Sequence, residues 1–280
     1  MSNNYLREHL IEFFKEVSYF NGNLYVVEAL IKSRSEQIKS DFPSYQKLWM
    51  TGTFFRDLSL FGADSNHFPT GYGYDVSTST LEEQSLRSIS YVCCSSIANI
   101  YEVFDSYLKN ILASVYIHSD QKQHYKLKLE YETVEDVRQN LWQIKSDKGF
   151  LKVIRRISPF FKKYEMDNIW GFNIGTWYSM IDKLRHQFIH NRQVLSEEFC
   201  SNMKKTEEWK LFIENFTLHA NGDAFLVQVS YGQTVKILST FLEYSYLIFK
   251  SLSIDLGLDY EYDWQKAILE NPIINVYPNN

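Results

Sequence analysis

The chain has 280 residues, enough for one or two domains with a sizeable buried core. Hydrophobic residues make up 45% of it and charged residues 22%, which excludes wholesale disorder, collagen-like repeats and coiled-coil rods. With 29 Lys and Arg against 34 Asp and Glu the net charge is −5, so a uniformly basic nucleic-acid coat is excluded and a local basic patch is not.

Only 11 Gly and 5 Pro punctuate the chain, which favours long helices. Leu6, Leu10, Phe13, Phe14 and Val17, then Val26, Val27, Leu30 and Ile31, are spaced for a helix from Tyr5 to about Lys39, broken near Asn21-Gly22-Asn23. Residues 62–80 are rich in Gly, Ser, Thr and Asp without periodicity and read as a long loop. The clearest helix follows: Ile89, Cys93, Ile97, Ile100, Phe104, Leu108, Ile111 and Val115 step by three or four, with Thr80 as N-cap and Glu83 at the capping-box position. Further helices are expected over Thr133–Ile144 and Lys148–Tyr164, the second interrupted or kinked at Pro159. Another starts near Asn173 or Thr176, with Trp177, Ile181, Leu184 and Phe188 as its buried stripe. Around Asn221-Gly222 the alternation predicts a two-residue β-hairpin with a type I′ turn, and a last amphipathic helix runs from about Gln233 to Leu252. The fold class is therefore mainly α, a helical bundle with one β-hairpin before the last helix. Three regions result: an N-terminal helical extension with a long loop (1–80), a helical domain (81–255) and an acidic C-terminal tail (256–280).

No apolar run reaches the roughly 18 residues of a membrane span, and the N-terminal apolar stretch carries acidic residues, unlike a secretory signal. Cys93, Cys94 and Cys200 are odd in number, include an adjacent pair and lack CxxC spacing, so reduced thiols and a cytoplasmic location are expected.

The run Leu184-Arg185-His186-Gln187-Phe188-Ile189-His190-Asn191-Arg192 gathers charged and proton-transferring groups beside an apolar stripe. Three readings compete. His186 and His190 are four apart and stack on one helix face, as metal-binding histidines do. The residue after the first His is Gln187, however, which cannot serve as the general base of an HExxH protease; a metal would need a distant ligand such as Glu207. Alternatively, the histidines are surface residues and Arg185 pairs with an acidic group on the long helix. The third reading is metal-independent RNA cleavage, which needs a base for the ribose 2′-OH, an acid for the leaving 5′-oxygen and a cation for the phosphorane. His190 can work near neutral pH, and Arg185 offers a permanent charged fork for phosphate oxygens. Five residues is about 140° around a helix, so the two do not stack. Two copies about a two-fold axis would pool the groups that a complete site requires.

Arg185-x4-His190 on a late helix of a bundle, after a long helix and before a hairpin and a closing helix, resembles the R-x4–6-H motif of the HEPN superfamily. His186 fits the polar residue common after that Arg. The resemblance covers about residues 81–255. It implies a metal-independent endoribonuclease acting as a homodimer through this helix, in a toxin–antitoxin, abortive-infection or antiviral setting, with RNA as substrate, no cofactor and an antitoxin or other regulator as partner. Arg185 and His190 match its catalytic pair. HEPN toxins modified by a nucleotidyltransferase carry Tyr two positions after the His; here Arg192 stands there. Some HEPN proteins are inactive docking modules, which is the alternative.

Supporting residues follow from the pattern. Between Lys145 and Lys163 seven cations face one anion, a local charge of +6. Lys148, Lys152, Arg155 and Arg156 share a helix face and are expected, with Arg192, to track RNA phosphates. Glu102, on a polar edge with Asn99 and Ser106, is the carboxylate expected to hold Arg185. Asn191 is placed to bond a phosphate or cap a helix end.

Overall fold

The computed structural model describes residues 4–43, 49–55, 68–144 and 147–261. Among them helices dominate: α1 (Arg7–Asp41), α2 (Leu81–His118), α3 (Val134–Asn140), α4 (Asp147–Ile157), α5 (Pro159–Tyr164), α6 (Ile174–His190), α7 (Glu197–Met203), α8 (Glu208–Asn215) and α9 (Tyr231–Asp255). The strands are β1 (Trp49–Phe55), β2 (Phe68–Val76), β3 (Val194–Ser196), β4 (Thr217–Asn221) and β5 (Ala224–Gln228). β1 and β2 pair antiparallel; the other three form an antiparallel sheet of order β3-β5-β4. The mainly helical class is as the sequence predicts. No described helix is long and apolar enough to cross a membrane.

The chain divides into two compact units. One comprises residues 1–14, 104–175 and 242–280. Its core is aromatic: Phe104 meets Phe13 edge-on at 5.6 Å and stacks on Tyr244 at 5.4 Å. Two buried phenols find carbonyl partners, Tyr107 donating to Ser245 O at 2.7 Å and Tyr125 to Leu112 O at 2.8 Å. The carboxylate of Glu165 is buried here and accepts from Arg155 Nε at 2.6 Å, Arg155 Nη2 at 2.8 Å and the Tyr244 hydroxyl at 2.6 Å. Gly175 closes over this cluster: a Cβ there would lie 2.8 Å from Glu165 Oε1 and 3.0 Å from Arg155 Nη2.

The other unit comprises residues 15–103 and 176–241. Its buried stripes are those read from the sequence, Ile89, Cys93, Ile97 and Ile100 on α2 and Trp177, Ile181, Leu184 and Phe188 on α6. Tyr101 stacks flat on Tyr178 at 4.9 Å, and Trp177 meets Phe241 edge-on at 4.9 Å. Cys93, Cys94 and Cys200 are free and buried.

Three local expectations are corrected. α1 runs unbroken through Asn21-Gly22-Asn23. A helical Gly costs about 1 kcal/mol relative to Ala, but buried Val17 and Leu24 flank it and Asn21 accepts from the Tyr231 hydroxyl at 3.1 Å. Within the stretch expected to be loop, residues 68–76 are strand; Thr70, Tyr72, Tyr74 and Val76 alternate as strand residues do, a signal hidden among the glycines. Residues 62–67 lie outside the described residues, as does the tail beyond 261. The hairpin turn is shifted by one residue. Asn221 pairs with Ala224, so the turn residues are Gly222 and Asp223, and positive φ falls on Gly222 (61°) and not on Asp223, the pattern of a type II′ turn.

Pro159 ends α4 and starts α5, the extended Ser158 between them serving as N-cap. Its hydroxyl accepts from Phe161 N at 2.9 Å and donates to Asp255 Oδ2 at 2.5 Å, fully buried. Ser158→Ala is expected to lower stability by about 1–2 kcal/mol. A urea midpoint unchanged from wild type would show that this cap carries no weight.

Candidate functional site

α6 forms because its apolar residues recur on one face and its polar residues on the other. Trp177, Ile181, Leu184 and Phe188 are buried, while Asp182, Lys183, Arg185, His186 and His190 are half-buried or exposed. Lys183 Nζ and the Ser179 hydroxyl both bond Glu208 Oε1, at 2.9 and 3.0 Å, which braces the helix from α8.

The guanidinium of Arg185 lies over the Tyr101 ring, 4.6 Å from its centre, and its Nη1 donates to Glu102. Nη2 reaches Asp182 Oδ1 at 3.4 Å, and Nε is buried without a hydrogen-bond partner among the described residues. Burial works against the charge, but the bond to Glu102 outweighs it and raises the Arg185 pKa further. The structure thus pairs Arg185 with the carboxylate expected from the sequence. Tyr101 and Asp182 are additions; Asp182 was readable as an i, i+3 partner, whereas nothing in the sequence marks Tyr101 as a platform.

His186 and His190 lie side by side on the exposed edge, with ring centres 4.5 Å apart. Neither ring hydrogen-bonds to a described residue, and no hydrogen bond joins His190 to Arg185. Asn191 Nδ2 donates to Gln187 Oε1 at 2.6 Å and so closes the last turn. Helix α6 stops because Arg192 (φ 49°) and Gln193 (φ 69°) are both left-handed, which costs about 1–2 kcal/mol per non-glycine residue. Buried Gln193 is held by its side-chain bond to Ser90 O at 2.9 Å and by Val227 N donating to its carbonyl at 2.9 Å. This strained anchor, missed from the sequence, leads directly into β3.

The cations expected to track RNA have separate fates. Arg155 is engaged by Glu165 as described above. Lys152 is exposed, and exposed Arg156 donates to His124 O at 3.5 Å. The side chain of Lys148 lies outside the described residues. Arg192 is exposed just past the end of α6. No group of three or more His, Cys, Asp or Glu among the described residues is arranged to hold a metal, so Glu207 does not complete a site with the α6 histidines within one chain.

Glu102 is about half exposed, so Glu102→Ala should cost less than about 1 kcal/mol in urea denaturation. Arg185→Ala, which also removes the stack on Tyr101, should cost more. Glu208 behaves differently. Burial pushes its pKa up, but the bonds from Lys183 and Ser179 prevail and hold it below the usual carboxylate range. A depressed pKa stabilises the fold above the unfolded-state value and ceases to as pH falls through the folded-state value. Glu208→Gln should therefore be destabilised by roughly 1 kcal/mol at pH 7, and its deficit relative to wild type should shrink as the pH falls below the usual carboxylate range. A deficit independent of pH would exclude this linkage.

Comparison with known proteins gives no match to a family profile, a curated protein or a solved structure.

Proposed function

We propose that the chain is a metal-independent endoribonuclease of the HEPN type, working as a homodimer through α6. The observation that carries the reading is the placement of Arg185 and His190 on one helix. Arg185 is oriented by Glu102 over Tyr101, and His190 is solvent-exposed on the last turn with no hydrogen-bond partner among the described residues to occupy it. In the reaction a ribose 2′-oxygen loses its proton to a base and bonds to phosphorus, and the phosphorus–O5′ bond breaks. An acid returns a proton to O5′, leaving a 2′,3′-cyclic phosphate. His190 of each copy supplies the base or the acid, and Arg185 stabilises the phosphorane charge. Arg192 and His186 flank the exposed edge and would meet the RNA first. A cytoplasmic toxin or antiphage effector, held in check by an antitoxin or a trigger, is the setting this chemistry suits.

The second reading is a catalytically silent docking module, favoured by the pairing of Arg185: two carboxylates already contact its guanidinium. Purified protein incubated with total cellular RNA in EDTA separates the two. The ribonuclease yields discrete fragments ending in cyclic phosphate, with cleavage reduced at least about 100-fold in His190→Ala. Strict dependence on added metal, or equal cleavage by wild type and variant, would sink the mechanism. A folded, self-associating protein that cuts nothing is the docking module.

A further inference from the structure

We infer that His186 and His190 form a bidentate site for a borderline transition-metal ion of the Zn2+ class, and that its occupancy silences His190. The switching half of this inference rests on the ribonuclease reading; the binding half does not.

The two imidazoles occupy positions i and i+4 on the exposed face of α6, with ring centres 4.5 Å apart. Imidazoles sharing one tetrahedral ion at ordinary zinc–nitrogen distances have centres about 5 Å apart, so a small rotamer adjustment closes the site. Imidazole is a ligand suited to zinc, copper and nickel. Neither ring is engaged in a hydrogen bond with a described residue, so binding forfeits no hydrogen bond among the described residues. His190 also sits on the last turn of α6, at the end of the helix dipole that favours a cation. One chain supplies two ligands; water, or the same pair from a second copy, fills the remaining positions. The lone pair that accepts a proton in catalysis is the one that a metal takes, so an occupied His190 cannot act as base.

The test uses the full chain stripped with EDTA and dialysed, then titrated with Zn2+ by calorimetry. Zn2+ should bind at least about tenfold more weakly to His186→Ala and to His190→Ala than to wild type. It should bind His219→Ala, which removes an exposed histidine outside the pair, as it binds wild type. Equal affinity in His186→Ala and wild type, or no binding to wild type, overturns the site. In the cleavage assay without EDTA, Zn2+ should inhibit wild type, with EDTA restoring the rate. His186→Ala, compared with its own metal-free rate, should be inhibited less. Cleavage that persists at saturating Zn2+ overturns the switch. Absence of any cleavage removes the ribonuclease reading while the calorimetry still decides the site.

Discussion

A carboxylate removed from water must have its oxygens met by donors, and in one of the two units this requirement organises the surroundings of Glu165. Its side chain is 4% exposed and receives both arms of a guanidinium and a phenol. The fork of Arg155 draws α4 to the end of α5, the Tyr244 hydroxyl adds α9, and the absent side chain of Gly175 lets the backbone close over the group. Removing Arg155 or the Tyr244 hydroxyl leaves the buried carboxylate short of a donor, which is costlier than losing a surface pair. The basic character of α4 is thus partly internal: the cation that looks most central to its charged face is turned to a structural task.

Arg185 shows the intermediate case. Its guanidinium is about one quarter exposed, stacked on one ring and offset by two carboxylates that remain in contact with water. Such an arginine is held in orientation without being sealed off, and a phosphate could displace Glu102 without leaving a buried charge behind. His186 and His190, on the exposed face of the same helix, have no hydrogen bond to a described residue. The charged groups on this part of α6 stay in contact with water, whereas the carboxylate of Glu165 is shut away from it.

Most helices were legible because periodicity is a local property: the stripes of α2 and α6 are visible as spacing alone, and the turn at Gly222 is marked by its residue types. The elements that escaped depend on distant partners. β3 is three residues long and exists because β5 offers it an edge, and β2 is strand because β1 pairs with it. Gly22 stays helical because neighbouring apolar residues are buried. For the site, the Arg185–His190 spacing and the Glu102 carboxylate were readable as residue types at helical intervals. The Tyr101 platform and the Gln193 anchor were not, since both are defined by what packs across from them. Arg155 and Arg156 are adjacent and chemically identical, and only burial distinguishes their roles.

Because Gln193 is tied to Ser90 and to Val227, the left-handed pair at Arg192 and Gln193 fixes where α6 ends. An insertion between Phe188 and His190 would turn His190 about 100° around the helix axis relative to Arg185, and the fixed end leaves no slack downstream to take it up. The spacing of these two residues is therefore guarded by the helix terminus as much as by the helix itself.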